Sequence, residues 1–408
     1  MKKGILTLAI TFVGLLGCAK NKIEESKNLI PKEENHTRFF EKGQEGYFCY
    51  RIPGFIKAPN GDLLVFAEGR VNDCDDFGDI DLVMKKSSDG GETWTKVKVL
   101  VNNSVYKVGD PAPVIDYMDP KYPNGRIFLL YNTSTNYVDK QGKTKRIREV
   151  WYITSIDNGS TWSSPTNITH FVHRPNAPDY DARYNFEPSW TGVNTQGHGI
   201  QIKNGPKKGR LYFAGNRLGV KAHDDDFSSY RSYGYYSDDN GTTWKIGGDI
   251  EIEGGNESTA AELSNGDIIQ AVRYQILKDP KGQPANTKFK LIAVSNSGGE
   301  SWNAPRFATQ LPDPICQGNL LDVKYKGEHI ILFSNPANSS SRTKMSISAS
   351  KDDGQTWPHK YLVDSGPASY SAMYSLGADE IGLVYEKGNT GGFVFRKINI
   401  ADICGCKE

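Results

Sequence analysis

The sequence has almost no net charge, because 49 lysine and arginine residues against 48 aspartate and glutamate residues leave a formal charge of +1. No global field therefore attracts polyanions, and a nucleic-acid partner has no electrostatic support. Any recognition of charge must be local. Apolar residues make up 37% and charged residues 24% of the 408 positions, which is typical of a soluble globular protein with one large core or two ordinary ones.

Cysteine is scarce, with six residues in the whole chain, and Cys18 belongs to an export signal described below. The other five are Cys49, Cys74, Cys316, Cys404 and Cys406. An odd number in an exported protein leaves at least one free thiol, unless one cysteine pairs between chains. No second cysteine pair or histidine pair accompanies Cys404 and Cys406, so the spacing fits no common zinc site. We interpret the cysteines as structural or incidental and predict no metal.

Long hydrophobic runs are also rare, and the one that stands out runs from Ile5 to Leu16, after Lys2 and Lys3. This pattern is typical of a secretory signal, and the run is too short to span a bilayer comfortably. The following "LLGC" resembles the bacterial lipobox, in which Cys18 becomes the lipidated first residue. We therefore predict a lipoprotein-type signal peptide over residues 1–18, and a protein that is exported and lipid-anchored in the bacterial cell envelope, at the outer membrane, periplasm or cell surface.

Residues 19–37 are rich in lysine, glutamate and asparagine and poor in apolar residues, which predicts a solvated tether. We expect one folded domain over residues 38–408. Its apolar segments lack a helical period, whereas short strand-like runs such as "DLLVFAE", "RIFLLYN" and "HIILFSN" recur. The fold class predicted by these runs is all-β.

One phrase, S-x-D-x-G-x-T-W, occurs five times along the domain. The copies are "SSDGGETW" at 87–94, "SIDNGSTW" at 155–162, "SDDNGTTW" at 237–244, the degenerate "SNSGGESW" at 295–302 and "SKDDGQTW" at 350–357. The aspartate can accept hydrogen bonds from turn amides, the glycine can take a positive φ, and the tryptophan can pack the start of the returning strand. The phrase therefore predicts a hairpin turn.

A short β-unit repeated at intervals of roughly 55 to 80 residues predicts a β-propeller. Five copies with repeat-free stretches at both ends favour six blades, one of them closed by both ends of the chain. A calcium site is the alternative interpretation of the D-x-N-x-G turns. The denser run "DCDDFGDID" fails as an EF-hand, because Phe77 falls where an oxygen ligand is needed and Met84 takes the closing position.

The repeated turns resemble the Asp-boxes of the sialidase (neuraminidase) family, and "YRIPGF" at 50–55 resembles that family's first arginine motif. The resemblance covers nearly all of residues 38–400. It implies a monomeric bacterial exo-α-sialidase that needs no cofactor. Such an enzyme removes terminal α-linked sialic acids from glycoproteins, glycolipids or oligosaccharides with retention, through a tyrosyl-enzyme intermediate. Two alternatives stay open: a trans-sialidase or anhydro-forming sialidase, and a catalytically silent propeller that binds sialylated glycans.

The resemblance also implies a carboxylate-binding site. The family binds the sugar carboxylate with three arginines, whose planar guanidinium groups make paired, charge-assisted hydrogen bonds. Arg51 in "YRIP", Arg273 in "QAVRY" and Arg342 in "SSSRTKM" match these three positions. Asp76 in "DFGDI" matches the acid/base aspartate, which we expect on a loop that raises its pKa so that it can protonate the leaving oxygen.

Tyr370 in "PASYSAM" matches the nucleophilic tyrosine of the family, and Glu257 in "GGNESTA" matches its partner base. A carboxylate nucleophile would be repelled by the carboxylate of the sugar, whereas a neutral phenol avoids this and can be activated by a base. Arg70 in "FAEGR" resembles an accessory arginine near the acid loop, and Asp110 in "VGDPAP" resembles a residue beside the sugar ring. Either is equally compatible with a simple ion-pair role.

Overall fold

Antiparallel β-strands make up almost all of the regular structure of this computed structural model. The described residues are 1, 37–138, 144–172, 192–217, 230–276, 288–388 and 391–406. The chain divides into residues 1–34 and 35–408, and every strand belongs to the second unit. The predicted signal peptide with Cys18, and all of the predicted tether except Thr37, lie outside the described residues. The prediction of an all-β fold is confirmed.

The strands are, in chain order, β1 (Thr37–Phe40), β2 (Cys49–Lys57), β3 (Leu63–Arg70), β4 (Ile80–Ser87), β5 (Lys98–Val101), β6 (Lys107–Asp116), β7 (Arg126–Val138), β8 (Thr144–Ser155), β9 (Thr166–Asn167), β10 (Gly192–Asn194), β11 (Ile200–Gln201), β12 (Leu211–Arg217), β13 (Arg231–Ser237), β14 (Lys245–Ile246), β15 (Gly255–Glu262), β16 (Ile268–Tyr274), β17 (Phe289–Ser295), β18 (Arg306–Pro312), β19 (Asn319–Tyr325), β20 (Glu328–Pro336), β21 (Thr343–Ser350), β22 (His359–Ser375), β23 (Glu380–Lys387) and β24 (Phe393–Asn399). The described helices are α1 (Thr169–Val172) and α2 (Ile400–Cys404), and neither is long enough to cross a membrane.

Neighbouring strands pair antiparallel in short sequential groups. Strands β2 to β5 form one group and β6 to β9 the next, and a parallel bridge between Ile80 and Lys107 links the two. Strands β10 and β11 both pair with β12, which continues to β13 and β14, and β15 to β18 form a separate sheet.

Strand β22 is long enough to belong to two groups. Residues 359–367 pair with β21 and complete the group that starts at β19, whereas residues 368–375 pair with β23. The last group continues through β24 to β1, in which Thr37 lies opposite Phe395. The predicted closure of one group by strands from both ends of the chain is confirmed.

The five repeated phrases each form the turn between the third and fourth strands of a group, which confirms the hairpin prediction. In the first repeat turn, the Ser87 hydroxyl donates to the Asp89 carboxylate (2.7 Å) and accepts from the Gly91 amide (2.8 Å). The Asp89 carboxylate also accepts from the Thr93 amide (3.0 Å). The same bonds recur in three other copies, and in the degenerate copy the Ser297 hydroxyl replaces the carboxylate.

Backbone amides thus occupy the carboxylates that the calcium alternative would need as ligands. Within the described ranges, no three histidine, cysteine, aspartate or glutamate side chains are grouped so as to hold a metal ion. The repeat turns are therefore explained by hydrogen bonding within the chain.

The apolar core lies between neighbouring strand groups. Leu64 and Phe66 of the first group pack with Ile127, Leu129 and Ile153 of the second, because alternate residues of each strand point to the same face. Full burial of each such side chain contributes about 1.5–3 kcal/mol. The tryptophans of the repeat turns reinforce these contacts: ring centroids lie 5.9 Å apart for Trp162 and Phe66, and 6.4 Å apart for Trp244 and Phe128.

Candidate active site

Five of the residues predicted for the site, Asp76, Asp110, Glu257, Arg273 and Tyr370, line one cavity of about 250 Å³. They come from four strand groups that are far apart in sequence. Four of the predicted residues lie on the first strand of their group. These are Arg51 on β2, Asp110 on β6, Glu257 on β15 and Tyr370 on the second half of β22. The first strands therefore carry four of the eight residues predicted for the site in the folded domain.

A β-bulge interrupts each of these four strands where its site residue lies. The breaks in pairing fall between Arg51 and Gly54, Gly109 and Ala112, Gly255 and Ser258, and Ala368 and Ser371. Bulges redirect a side chain out of the regular alternation and are common beside active sites. Two bulge residues, Ile52 (φ 62°) and Asp110 (φ 56°), adopt left-handed backbone at a cost of about 1–2 kcal/mol each.

Tyr370 and Glu257 form a hydrogen-bonded pair in the cavity. The Tyr370 hydroxyl donates to Glu257 Oε1 (2.7 Å), and Arg273 Nη1 donates both to Glu257 Oε2 (2.7 Å) and to the Tyr370 oxygen (3.0 Å). Burial, together with the Glu257 charge, raises the pKa of Tyr370 well above its usual value, so the phenol is neutral at pH 7.

Glu257 is ionised despite its burial. Burial acts to raise the pKa of Glu257, but the Arg273 charge and the hydrogen bonds from Tyr370 and Arg273 outweigh it, and the net pKa lies below the usual range. Gln196 adds a further donor to Glu257 Oε1 (3.1 Å). The pair therefore consists of a neutral phenol that donates to a carboxylate, which is the arrangement required for a base to remove a phenolic proton.

Three guanidinium groups lie around Tyr370. Besides Arg273, the guanidinium carbons of Arg51 and Arg342 lie 5.3 Å and 5.6 Å from the centroid of the Tyr370 ring. Arg51 Nε donates to Glu386 Oε1 (2.9 Å), and Arg342 donates to the hydroxyl of Ser369 (3.2 Å). The structure thus brings the three predicted clamp arginines together.

Asp76 lies on the loop between β3 and β4, next to Arg70. Arg70 is 1% exposed and donates to Asp76 Oδ1 (2.9 Å) and to the buried Glu68 (2.6 Å). The disulfide Cys49–Cys74 joins the same loop to β2. Arg70 is therefore an ion-pair partner that positions Asp76, and 68% of the Asp76 side chain is exposed.

The expected elevation of the Asp76 pKa is wrong for this arrangement. Partial burial does act to raise the pKa of Asp76, but the positive charges of Arg70, Lys107 and Arg51 outweigh it and hold the pKa below its usual value. The loop itself therefore does not keep this carboxyl group protonated.

Asp110 both lines the cavity and takes part in an ion pair. Its carboxylate lies 3.6 Å from Lys107 Nζ and accepts from Asn132 Nδ2 (3.1 Å). Burial and the negative charge of Glu68 raise the pKa of Asp110, whereas the positive charge of Lys107 lowers it. The effect of burial is the largest, so the pKa of Asp110 lies above its usual value. Lys107 also pairs with Glu68 (2.9 Å), so this network connects Asp110 to Arg70 and the acid loop.

The remaining cysteines bear out the odd-count prediction. Cys404 and Cys406 form a second disulfide after α2, and Cys316 is a buried free thiol. Cys316 packs against Ile52 and Tyr370, which both line the cavity.

Comparison with known proteins agrees with the sequence resemblance. A family model described as BNR repeat-like domain matches residues 61–384. The chain belongs to the BNR repeat-like family. A sialidase of Micromonospora viridifaciens is 30% identical to this BNR repeat-like protein over 382 residues, covering 89% of this chain and 53% of that protein. A sialidase of Bacteroides fragilis (strain YCH46) is 25% identical, covering 88% and 64%.

The chain thus spans about half to two thirds of the length of these curated relatives. Among solved structures, the Hadza microbial sialidase Hz136 superposes with a TM-score of 0.73 at 24% identity, covering 90% of this chain and 69% of that one. This BNR repeat-like protein therefore shares the all-β propeller fold of that sialidase, and the predicted resemblance to the sialidase family is confirmed.

Several cavity residues of this BNR repeat-like protein were not predicted from its sequence. Gln196, Phe77 and Arg148 line the cavity, and Glu386 accepts a hydrogen bond from Arg51. Phe77 lies in "DFGDI", but that phrase indicates a role only for Asp76, and Glu386 is 335 positions from its partner. The sequence offers one signal for Glu386: in "LVYEK" an acidic residue follows directly on an apolar run, and a carboxylate that is buried there needs a charged partner.

Proposed function

We propose that this protein is an exo-α-sialidase, which hydrolyses terminal α-linked sialic acids from glycoconjugates with retention of configuration. The observation that carries the proposal is the Tyr370–Glu257 hydrogen bond surrounded by three guanidinium groups. A neutral phenol beside a base suits attack on a carbon that bears a carboxylate, and the guanidinium groups supply the opposite charge.

In the proposed complex, Arg51, Arg273 and Arg342 bind the sugar carboxylate and place the anomeric carbon near the Tyr370 oxygen. Glu386 and Ser369 fix the orientation of two of these side chains by accepting hydrogen bonds. A guanidinium group that is held in place loses little conformational freedom on binding, which favours affinity.

In the first step, the Tyr370 oxygen forms a bond to the anomeric carbon while the bond to the leaving oxygen breaks. Glu257 accepts the phenolic proton, and Asp76 gives its proton to the leaving oxygen. In the second step, water attacks the anomeric carbon while the bond to Tyr370 breaks, and Asp76 takes a proton from the water. Glu257 returns its proton to the departing phenolate.

Substrate binding is expected to correct the low pKa of Asp76. The Arg51 charge is one of those that depress this pKa, and a bound sugar carboxylate would neutralise part of it. The sugar would also remove water from the exposed Asp76 side chain. Both effects favour the protonated form that the first step requires.

The same proposal covers the architecture and the cellular location. The sequential antiparallel groups, with β22 serving two of them, support six blades in the propeller. The lipobox-like "LLGC" supports lipidation of Cys18 and anchoring in the bacterial envelope. We expect Cys18→Ser to lose the lipid and to leave the membrane fraction of the native host; wild-type protein found in the cytoplasm with residues 1–18 intact would contradict this.

The activity is tested by incubating the full-length protein with α2-3-, α2-6- and α2-8-linked sialosides and separating free sialic acid, 2,7-anhydro product and transfer products by chromatography. The proposal predicts free sialic acid as the main product. Exclusive anhydro or transfer product would favour the trans-sialidase alternative, and binding without any release would favour the silent propeller. Tyr374→Phe, which removes a hydroxyl from the same strand outside the cavity lining, is the matched control for variants of Tyr370.

A further inference from the structure

Phe77 is a large apolar side chain that is 40% exposed and lines the cavity. Exposed aromatic rings at a concave site commonly mark a surface for a ligand. Phe48 is equally exposed, at 41%, but it does not line the cavity. It lies next to Cys49, whose disulfide with Cys74 reaches the acid loop, so it offers a comparison for Phe77.

The position of Phe77 in the chain places it beside the leaving group. Asp76 immediately precedes it, and in the proposed reaction Asp76 must approach the glycosidic oxygen within hydrogen-bond distance to protonate it. The sugar attached through that oxygen must therefore leave the cavity past the acid loop. Phe77 is the apolar surface which that loop presents at the cavity.

Arg148 of β8 lies across from this loop. It lines the same cavity, and its guanidinium carbon is 5.9 Å from the centroid of the Phe77 ring. Among the described residues, the Arg148 side chain makes no ion pair or hydrogen bond, so its five N–H donors are available to a ligand. A guanidinium group whose N–H donors are unpaired beside a cavity favours a ligand that is rich in acceptors.

We infer that Phe77 and Arg148 form a subsite for the pyranose that leaves the sialic acid, that is, the hexose to which it was glycosidically linked. The partly positive C–H face of a pyranose matches the negative face of the Phe77 ring, and its hydroxyl oxygens match the Arg148 donors. This inference rests on the proposed sialidase function. It implies that the enzyme distinguishes glycan substrates from simple sialosides.

The test compares kcat/KM for α2-3-sialyllactose and for methyl α-sialoside, in the full-length wild type and in variants. Both substrates have an alkyl leaving oxygen that needs Asp76, but only the lactoside places a sugar ring on Phe77. Phe77→Ala should lower kcat/KM for sialyllactose about tenfold and for methyl α-sialoside less than about twofold. Phe77→Tyr should restore the lactoside rate, and Phe48→Ala, the matched control, should change neither.

Equal losses on both substrates would show that Phe77 acts through Asp76 or through the fold, and would overturn the subsite, as would no loss on sialyllactose. If Phe77→Ala fails to fold, as checked by thermal unfolding, Arg148→Gln tests the hydrogen-bonding side of the same subsite with the same expected selectivity. A wild type that hydrolyses neither substrate would instead overturn the proposed function and the subsite with it.

Discussion

Replacing Tyr370 by phenylalanine removes one oxygen atom from the centre of the proposed site. That oxygen donates to Glu257 and accepts from Arg273, which keeps its ion pair with Glu257 when the oxygen is removed. Arg51 and Arg342 are held by Glu386 and Ser369 instead. The substitution should therefore separate the chemical step from binding of the sugar carboxylate. We expect turnover to fall severely and affinity to change little.

The size of the loss follows from the state of the phenol. A phenol with a pKa above 10 is ionised in fewer than about one molecule in a thousand at pH 7, so its reactivity depends on Glu257 taking the proton as the bond forms. Losing both the nucleophile and this transfer should lower kcat by about 10³- to 10⁵-fold, or ~4–7 kcal/mol. Glu257 keeps its donors Arg273 and Gln196, so the free energy of unfolding should change by no more than about 1–2 kcal/mol.

The assay measures kcat for α2-3-sialyllactose, the Kd for 2,3-didehydro-2-deoxy sialic acid by calorimetry, and the thermal unfolding of wild type, Tyr370→Phe and Tyr374→Phe. We expect the Kd of Tyr370→Phe to stay within about threefold of wild type. A kcat within tenfold of wild type would refute the role of Tyr370. A loss of affinity as large as the loss of turnover would refute the separation of nucleophile and clamp.

Further predictions concern the clamp arginines, the acid/base aspartate and one repeat turn. Replacing any one of the clamp arginines by lysine (Arg51→Lys, Arg273→Lys or Arg342→Lys) should lower kcat/KM at least about tenfold while thermal unfolding stays cooperative, because an ammonium group cannot make two parallel hydrogen bonds to a carboxylate. Near-normal kinetics in any two of these variants would contradict the binding of the sugar carboxylate by three arginines. Asp76→Asn should slow hydrolysis of sialyllactose far more than that of 4-nitrophenyl α-sialoside, whose leaving oxygen needs little protonation; equal losses in the two kinetic assays would argue against the acid role. Asp157→Ala should lower the free energy of unfolding in urea by about 1–2 kcal/mol and leave kcat unchanged. Burial acts to raise the pKa of Asp157, but hydrogen bonds from Thr161 and Ser155 outweigh it and lower the pKa. The stabilisation by Asp157 is therefore complete above the unfolded pKa near 4 and should vanish as the pH falls through the folded pKa. A difference in unfolding free energy between wild type and Asp157→Ala that persists in acid would show that it does not come from the ionised carboxylate.

The repeat turns could be predicted because their hydrogen bonds are local. Asp89 and Thr93 are four residues apart, so the sequence phrase contains both partners of the bond. The strands between the turns could also be predicted, because the alternation of apolar residues is contained within each segment. Closure of the last group by β1 could be inferred only from the count of turns and the repeat-free ends.

The contacts within the site were harder to predict from the sequence, because they join residues that are distant in the chain. Arg51 and Glu386 are 335 positions apart, and no local pattern predicts that pairing. The direction of the Asp76 pKa was missed for the same reason, since Lys107 and Arg51 approach it from other strands. Phe77 was informative in the sequence only as a residue that excludes an EF-hand, and its place beside Arg148 emerged from the fold.

The measurement that tests the account most directly is proton NMR of the first product released from α2-3-sialyllactose by the full-length protein. Double displacement through Tyr370 returns the anomeric carbon to its original configuration, so α-sialic acid should appear first and convert to the β-anomer only by later mutarotation. β-Sialic acid as the first product would contradict the tyrosyl-enzyme intermediate, and the absence of any released sialic acid would contradict the proposed sialidase activity itself.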